Sequence, residues 1–214
     1  MIMLFYCDNV YDITNFEYDN LLSSMPAKRK KKILRYIKHE DRVLSVTSYA
    51  IFKYATHLMG LNWSENDVET NQYGKPFIRG NSFFFNISHT ANAVACAIEL
   101  TDIGVDIQER IVEYDSLIER VCTTYEKKRI LGSKCPDQQF TKIWTLKESF
   151  VKCIGTGIWD DISHLDFSAF ESETGKMYGY HFLCKNADDY CIAVCSAIEQ
   201  TIRKVSLEEI LKSL

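Results

Sequence analysis

Ala93-Val94-Ala95-Cys96-Ala97-Ile98-Glu99-Leu100-Thr101 returns a hundred residues later as Ala193-Val194-Cys195-Ser196-Ala197-Ile198-Glu199-Gln200-Thr201, with six of nine positions identical. Apolar strands repeat by chance easily, so the echo alone carries little weight. It gains force because helical periodicity followed by alternating strands occurs twice around it. In the first half, Met1-Ile2-Met3-Leu4-Phe5-Tyr6 reads as an opening strand, and Pro26 can begin a helix at a first-turn position. Ile33, Leu34 and Ile37 give the run after it an apolar stripe. From Arg42, the positions Val43, Leu44, Ile51, Tyr54 and Leu58 recur at near-helical spacing, and Gly60 offers a stop. Tyr73-Gly74-Lys75-Pro76 is a turn; strands are expected over 83–88 and 93–100, joined through 89–92. The second half predicts helices over 115–132 and 138–153, interrupted near Gly132 and Pro136, then strands over 165–170, 177–184 and 190–198. A last short helix begins near Ser206, which forms a capping box with Glu209. Together these point to an α+β chain of two similar lobes, with the groove between them as the natural ligand site.

Composition narrows the functional classes. The chain has 214 residues, 46% hydrophobic and 25% charged, which is ample for a buried core. The apolar start meets Asp8 too soon for a membrane span or a signal segment, so the expected location is cytoplasmic, with no membrane partner. Eight cysteines contain no Cys-x-x-Cys pair and most lie in apolar runs, as expected of reduced, buried thiols rather than zinc ligands. A net charge of −4 argues against nucleic acid as a partner. The charge is uneven, however. Residues 28–42 hold Lys28, Arg29, Lys30, Lys31, Lys32, Arg35, Lys38 and Arg42 against only Glu40 and Asp41, a local excess suited to an anionic ligand.

Two short segments can carry chemistry. In a strand over Gly104-Val105-Asp106-Ile107-Gln108, Val105 and Ile107 face one way while Asp106 and Gln108 face the other. Two side-chain oxygens so placed suit a hard cation, or else merely form a polar outer face. On a helix, Glu148 and Lys152 share a face with Trp144. Taken alone, that spacing describes a surface ion pair worth about 0.3–0.5 kcal/mol.

Taken together, Gly-Val-Asp-Ile followed some forty residues later by Trp144-x-x-Lys147-Glu148-Ser149-x-x-Lys152 resembles the signature pair of the 4'-phosphopantetheinyl transferase superfamily. Tyr73-Gly74-Lys75-Pro76, Phe85-Asn86-Ile87-Ser88-His89-Thr90, Pro26-x-Lys28-Arg29-x-Lys31 and Thr124-x-Glu126 match further segments in order. The length is similar to that of the larger, monomeric, surfactin-synthetase-activating type. The resemblance implies a pseudodimer of an N-terminal lobe, 1–101, and a C-terminal lobe, 102–214, with coenzyme A between them. It implies Mg2+-dependent transfer of the phosphopantetheine arm of coenzyme A to a serine of an acyl or peptidyl carrier protein, with release of 3',5'-ADP.

The same resemblance implies Asp106 and Glu148 as magnesium ligands, with Gln108 standing where the family often has glutamate. Magnesium prefers oxygen donors and commonly takes one or two carboxylates plus phosphate and water. Glu148 is expected to act as base, with Lys152 stabilising the leaving group and Lys147 in a lesser role. Lys28, Lys31, Arg42 and His89 are implied around the 3'-phosphate, with Ser88 as a hydrogen-bond donor. Tyr73, Gly74, Lys75 and Pro76 are implied on the adenine side, Lys75 with a phosphate contact. Lys30 and Lys32 are expected to be solvated, Glu126 structural, and Trp144 packed at the lobe interface; Trp63 and Trp159 take no role. Ile111, Val112, Tyr114, Leu117 and Ile118 form either a docking patch for a carrier helix or ordinary core. The rival reading is a non-catalytic, coenzyme A-binding regulatory protein of the same fold, for which Gln108 is the main argument.

Overall fold

The computed structural model describes residues 3–157, 160–187 and 189–213. The strands are β1 (Met3–Asp8), β2 (Val68–Thr70), β3 (Pro76–Ile78), β4 (Phe84–Thr90), β5 (Ala93–Glu99), β6 (Ile103–Glu109), β7 (Thr174–Met177), β8 (Tyr180–Asn186), β9 (Tyr190–Ser196) and β10 (Thr201–Lys204). The helices are α1 (Asn15–Ser24), α2 (Ala27–Ile33), α3 (His39–Leu58), α4 (Asp115–Val121), α5 (Thr124–Leu131), α6 (Pro136–Ile154) and α7 (Leu207–Lys212). Two four-stranded sheets run in the orders β10-β1-β5-β4 and β6-β9-β8-β7, and β2 and β3 form a separate hairpin.

Side-chain alternation explains the layering. On β1, Phe5 and Cys7 join the core under α3, whereas Leu4 and Tyr6 join a second core. On β5, Val94, Cys96 and Ile98 face α3, while Ala93, Ala95 and Ala97 turn to that second core. Ile103, Val105 and Ile107 of β6 and Ile192 and Val194 of β9 meet them there. The two sheets therefore pack face to face, with small alanines on one side and branched residues on the other. Outside the second sheet, Leu146, Phe150 and Cys153 of α6 cover Ala193 and Cys195 of β9. Strands buried on both faces read as continuous apolar runs, which is why these segments were readable.

The edge strands β4 and β6 meet without a backbone ladder. Asn86 Oδ1, Ser88 Oγ and Thr90 Oγ1, at alternate positions of β4, accept the backbone N–H groups of Val105, Ile107 and Glu109 at 2.9, 3.4 and 3.1 Å. Three otherwise orphaned donors of a buried strand edge are thereby satisfied.

The helix ends follow local chemistry. Pro136 opens α6 at its first turn, and Gly155 closes it in the left-handed region at φ 72°. Ser206 and Glu209 form the expected capping box, and Thr14 with Glu17 and Thr123 with Glu126 form two more.

Several expectations need correction. Residues 165–170 are not a strand; Phe167 and Phe170 are buried from a turn, Phe170 N–H bonding to Phe167 O at 3.0 Å. β4 runs on through Thr90, so His89 is a strand residue and not part of the connection. The basic helix ends at Ile33 rather than reaching Lys38. β10 was not foreseen. It pairs in parallel with β1, Met3 opposite Thr201 and Tyr6 opposite Lys204, and Val205 and Ile210 then fill the core under α3. Residues 201–213 thus return to the sheet of the first half. Trp159 lies outside the described residues.

Candidate active site

Gly104 begins the construction of the site. A Cβ there would stand 2.1 Å from Ser149 O and 2.2 Å from Cys153 N, so only glycine lets α6 lie directly on β6. That contact sets Glu148 and Lys152 against Asp106. Lys152 Nζ lies 2.6 Å from Asp106 Oδ1, and Ser88 Oγ donates to the same oxygen at 2.9 Å. Lys152 Nζ also donates to Ser88 Oγ at 3.1 Å. Residues from β4, β6 and α6 therefore converge on one point at the seam between the sheets.

Both acids are buried, each 5% exposed, yet Asp106 Oδ2 and Glu148 Oε1 have no hydrogen-bond partner. Buried carboxylate oxygens without partners are costly. Burial pushes the Glu148 carboxyl up to about 7; the Lys152 charge opposes this, and the Asp106 charge adds to it. Two acids that feel each other's charge and leave oxygens unbonded suit a hard cation. Among the described residues no group of three or more His, Cys, Asp and Glu side chains gathers into a metal cluster. The donor set is two carboxylates, with the half-buried Gln108 next along the Asp106 face of β6. That inventory fits magnesium, which completes its shell with phosphate and water.

A cleft of about 500 Å³, lined by Arg29, Lys32, Asp41, Ser48, Gly74, Pro76 and His89 but by neither acid, approaches this point through His89, which feels the charges of Lys152 and Asp106. Arg29 sits 4.8 Å over the ring of Tyr49 and 3.5 Å from Glu65, a held cation that reading the sequence did not single out. Its helical spacing to Lys32, i and i+3, was the available signal. Lys32, expected to be solvated, is on the cleft rim. Ser48 Oγ is buried there without a partner. Lys28 and Lys31 are exposed and line an adjoining groove of about 400 Å³ with Arg35. Arg42 Nε donates to Tyr36 O at 2.8 Å, bracing the link between α2 and α3. His89 sits at the cleft with its pKa lowered, first by the surrounding protein and then by the Lys152 charge.

Tyr73 is 48% exposed at the tip of the β2–β3 hairpin. Lys75 has partners other than the expected phosphate: its Nζ donates to Cys153 O at 2.7 Å and lies 3.6 Å from Asp102. Its pKa is lowered by burial, against the pull of Asp102.

Lys147 is turned away from the acids and fully buried, 2.6 Å from Glu126, and also donates to Ile162 O at 3.1 Å. Glu126 in turn accepts from Thr123 N and Phe167 N, both at 2.8 Å. The pair ties α5, α6 and the 167 turn together, a structural role. Trp144 packs on the helical core of Ile118, Phe140 and Ile143, not on the sheet-to-sheet seam. Ile118 belongs to that core, Ile111, Tyr114 and Leu117 pack against it, and Val112 is 68% exposed. Of the five, only Ile118 is core; Ile111, Tyr114 and Leu117 stay half-buried at its edge. All eight cysteines are unpaired by disulfides. No helix among the described residues is long and apolar enough to cross a membrane.

Known proteins match both halves. A family described as the 4'-phosphopantetheinyl transferase superfamily matches residues 102–195, and one described as 4'-phosphopantetheinyl transferase, N-terminal, matches 11–101. The 4'-phosphopantetheinyl transferase gsp of Aneurinibacillus migulanus is 32% identical over 160 residues, covering 72% of this chain and 67% of the relative. The L-aminoadipate-semialdehyde dehydrogenase-phosphopantetheinyl transferase of Saccharomyces cerevisiae is 29% identical over 178 residues, 76% of this chain and 65% of the relative. A 4'-phosphopantetheinyl transferase of Bacillus subtilis is 29% identical over 147 residues, 66% and 65% of the two chains. The matched regions thus span 65–67% of the length of these relatives.

Proposed function

The chain belongs to the 4'-phosphopantetheinyl transferase superfamily, of its larger type, and we propose that it moves the phosphopantetheine arm of coenzyme A onto a serine of an acyl or peptidyl carrier protein. The observation that carries this reading is the pair of buried, unbonded carboxylate oxygens on Asp106 and Glu148, beside a basic cleft of about 500 Å³. A pyrophosphate brought to these acids needs a cation between, and Asp106, Glu148 and, through its amide oxygen, Gln108 would hold magnesium. When bound, that ion supplies charge neutralisation of the pyrophosphate oxygens.

The chain's own residues do the rest. In the transfer, the serine oxygen bonds to the β-phosphorus as the bond from phosphorus to the 3',5'-ADP oxygen breaks. Glu148, aimed at the same point as Asp106 and Lys152, takes the serine proton. Lys152, held by Asp106 and Ser88, stands where charge develops on the departing 3',5'-ADP. Arg29 and Lys32, with Lys28 and Lys31 in the adjoining groove, offer cations to the 3'-phosphate, and His89, its pKa lowered, offers a neutral ring N–H. Gly74 and Pro76 line the cleft on the adenine side, with Tyr73 between the hairpin strands. The two halves are read as related lobes of a pseudodimer, acting as a monomer because a chain that pairs its own two lobes has less need of a partner subunit. Eight free thiols favour a cytoplasmic setting.

The test is direct. Incubate the chain with coenzyme A, magnesium and an apo carrier protein, and weigh the carrier. A gain of one phosphopantetheine, lost in Glu148→Ala, is the expected result. Tight coenzyme A binding with no mass gain on any of several carriers would instead establish the non-catalytic reading.

A further inference from the structure

Residues 71–75 form a closed loop. Asn71 N donates to Lys75 O at 2.9 Å and Gly74 N to Asn71 O at 3.0 Å, while Asn71 Oδ1 accepts from Tyr73 N and Lys75 N, both at 2.9 Å. Gly74 supplies the φ of 85° that this loop requires. With the backbone so fixed, two side chains reach the end of α6. Lys75 Nζ donates to Cys153 O at 2.7 Å, and Asn71 Nδ2 donates to Gly155 O at 3.0 Å. Carbonyls at a helix C-terminus lack intrahelical partners, and a cation there also complements the helix dipole. The close approach is built into the helix side as well. A Cβ on Gly155 would come 2.9 Å from Lys75 Cδ and 3.4 Å from Asn71 Nδ2.

The same loop meets the cleft. Gly74 and Pro76, the neighbours of Lys75, line it, and Lys152 immediately precedes Cys153 on α6. The helix that carries Glu148 and Lys152 therefore ends in the grip of the loop that a cleft ligand touches. Lys75 extends the grip to Asp102, the residue before β6, so both elements of the acid pair share one anchor.

We infer that Asn71 and Lys75 are positioning residues that transmit occupancy of the cleft to the last turn of α6, holding Lys152 more firmly on Asp106 when coenzyme A is bound. This rests on the transferase reading above. A ligand that contacts Gly74 and Pro76 stiffens the loop, and a stiff loop holds the two carbonyls. The coupling needs only that the ligand bind the gripped arrangement more tightly than the released one.

The experiment follows amide hydrogen exchange of residues 149–155 with and without coenzyme A, alongside steady-state transfer. Four proteins are compared: wild type, Lys75→Met, Asn71→Asp and Lys75→Arg. Asn71→Asp keeps the Oδ1 acceptor that shapes the loop and replaces the donor to Gly155 by a carboxylate oxygen that repels its carbonyl, so it remains informative if Lys75→Met fails to fold. Coenzyme A should slow exchange in wild type by about fivefold or more. In Lys75→Met and Asn71→Asp the slowing should be lost, kcat should fall about tenfold, and KM for coenzyme A should rise, because the ligand loses the arrangement it prefers. Lys75→Arg should restore all three. Equal slowing in the variants, or a defect confined to KM, overturns the inference. Wild type that binds coenzyme A without any change at 149–155 overturns the coupling and leaves the transferase reading standing. Wild type that does not bind coenzyme A overturns both.

Discussion

The backbone carbonyl of Ser149 occupies the place where a side chain on Gly104 would begin, 2.1 Å from the position of a Cβ. Gly104→Ala must push α6 off β6, because the obstructing atoms are helix backbone. Overpacking of this kind costs about 1–3 kcal/mol. Since the helix carries Glu148 and Lys152, transfer should fall by a larger factor than the lost stability explains. Denaturant midpoints and kcat measured on the same preparations check both parts.

Glu148 sets function against stability. Its carboxyl is raised from 4.5 to about 7, so the folded state holds a proton that the unfolded state has released between those values. Wild-type stability contributed by this group is full below 4.5 and declines as pH rises through 7, by up to about 3 kcal/mol. Glu148→Gln removes the charge and the decline. It should unfold at higher denaturant than wild type at pH 8, and the gain should nearly vanish at pH 4.5. Its transfer rate should drop about a hundredfold or more.

The buried pair of Lys147 and Glu126 gives a two-variant test. Lys147→Met leaves Glu126 as an unpaired charge in a fully buried site, at a cost of about 3–5 kcal/mol. Adding Glu126→Gln removes that charge while an amide oxygen can still accept from Thr123 N or Phe167 N. The double variant should be more stable than Lys147→Met alone, read by chemical denaturation.

Gln108 offers a test of the proposed metal site. It follows Asp106 on the same face of β6 and brings a neutral oxygen. Gln108→Glu should lower the magnesium concentration needed for half-maximal rate, and transfer by either protein should stop on chelation. Unchanged metal dependence would place Gln108 away from the cation.

Much of this was legible in the sequence, for reasons the structure makes plain. β1, β5, β6 and β9 are buried on both faces, so their apolar runs stood out, and the echo at Ala93 and Ala193 falls on β5 and β9, each inside its sheet. Asp106 and Glu148 were found through spacing that matches a family, not through physics; each looked like ordinary surface polarity alone. Gly104 carried a physical cause that only the three-dimensional contact revealed. β10 was missed because Thr201, Arg203 and Lys204 are exposed and its pairing partner lies almost two hundred residues away. The 165–170 segment misled because Leu165, Phe167 and Ala169 imitate an alternating strand while Glu126 holds the Phe167 amide in a turn. Lys75 was read as a phosphate contact through the resemblance of its turn to a family segment; nothing local announces a bond to Cys153.

The parallel pairing of β1 with β10 bears on how the polypeptide is made. β1 leaves the ribosome some two hundred residues before residues 201–204, and its outer edge must wait for them to be covered. Its other edge can pair with β5 earlier, so the nascent chain would carry a half-finished sheet with an open flank while those residues are still to be made. Such an edge invites association with other chains, and closing it late is a slow, long-range step. Chaperone dependence during synthesis, relieved once β10 has emerged, is the cellular trace this topology should leave.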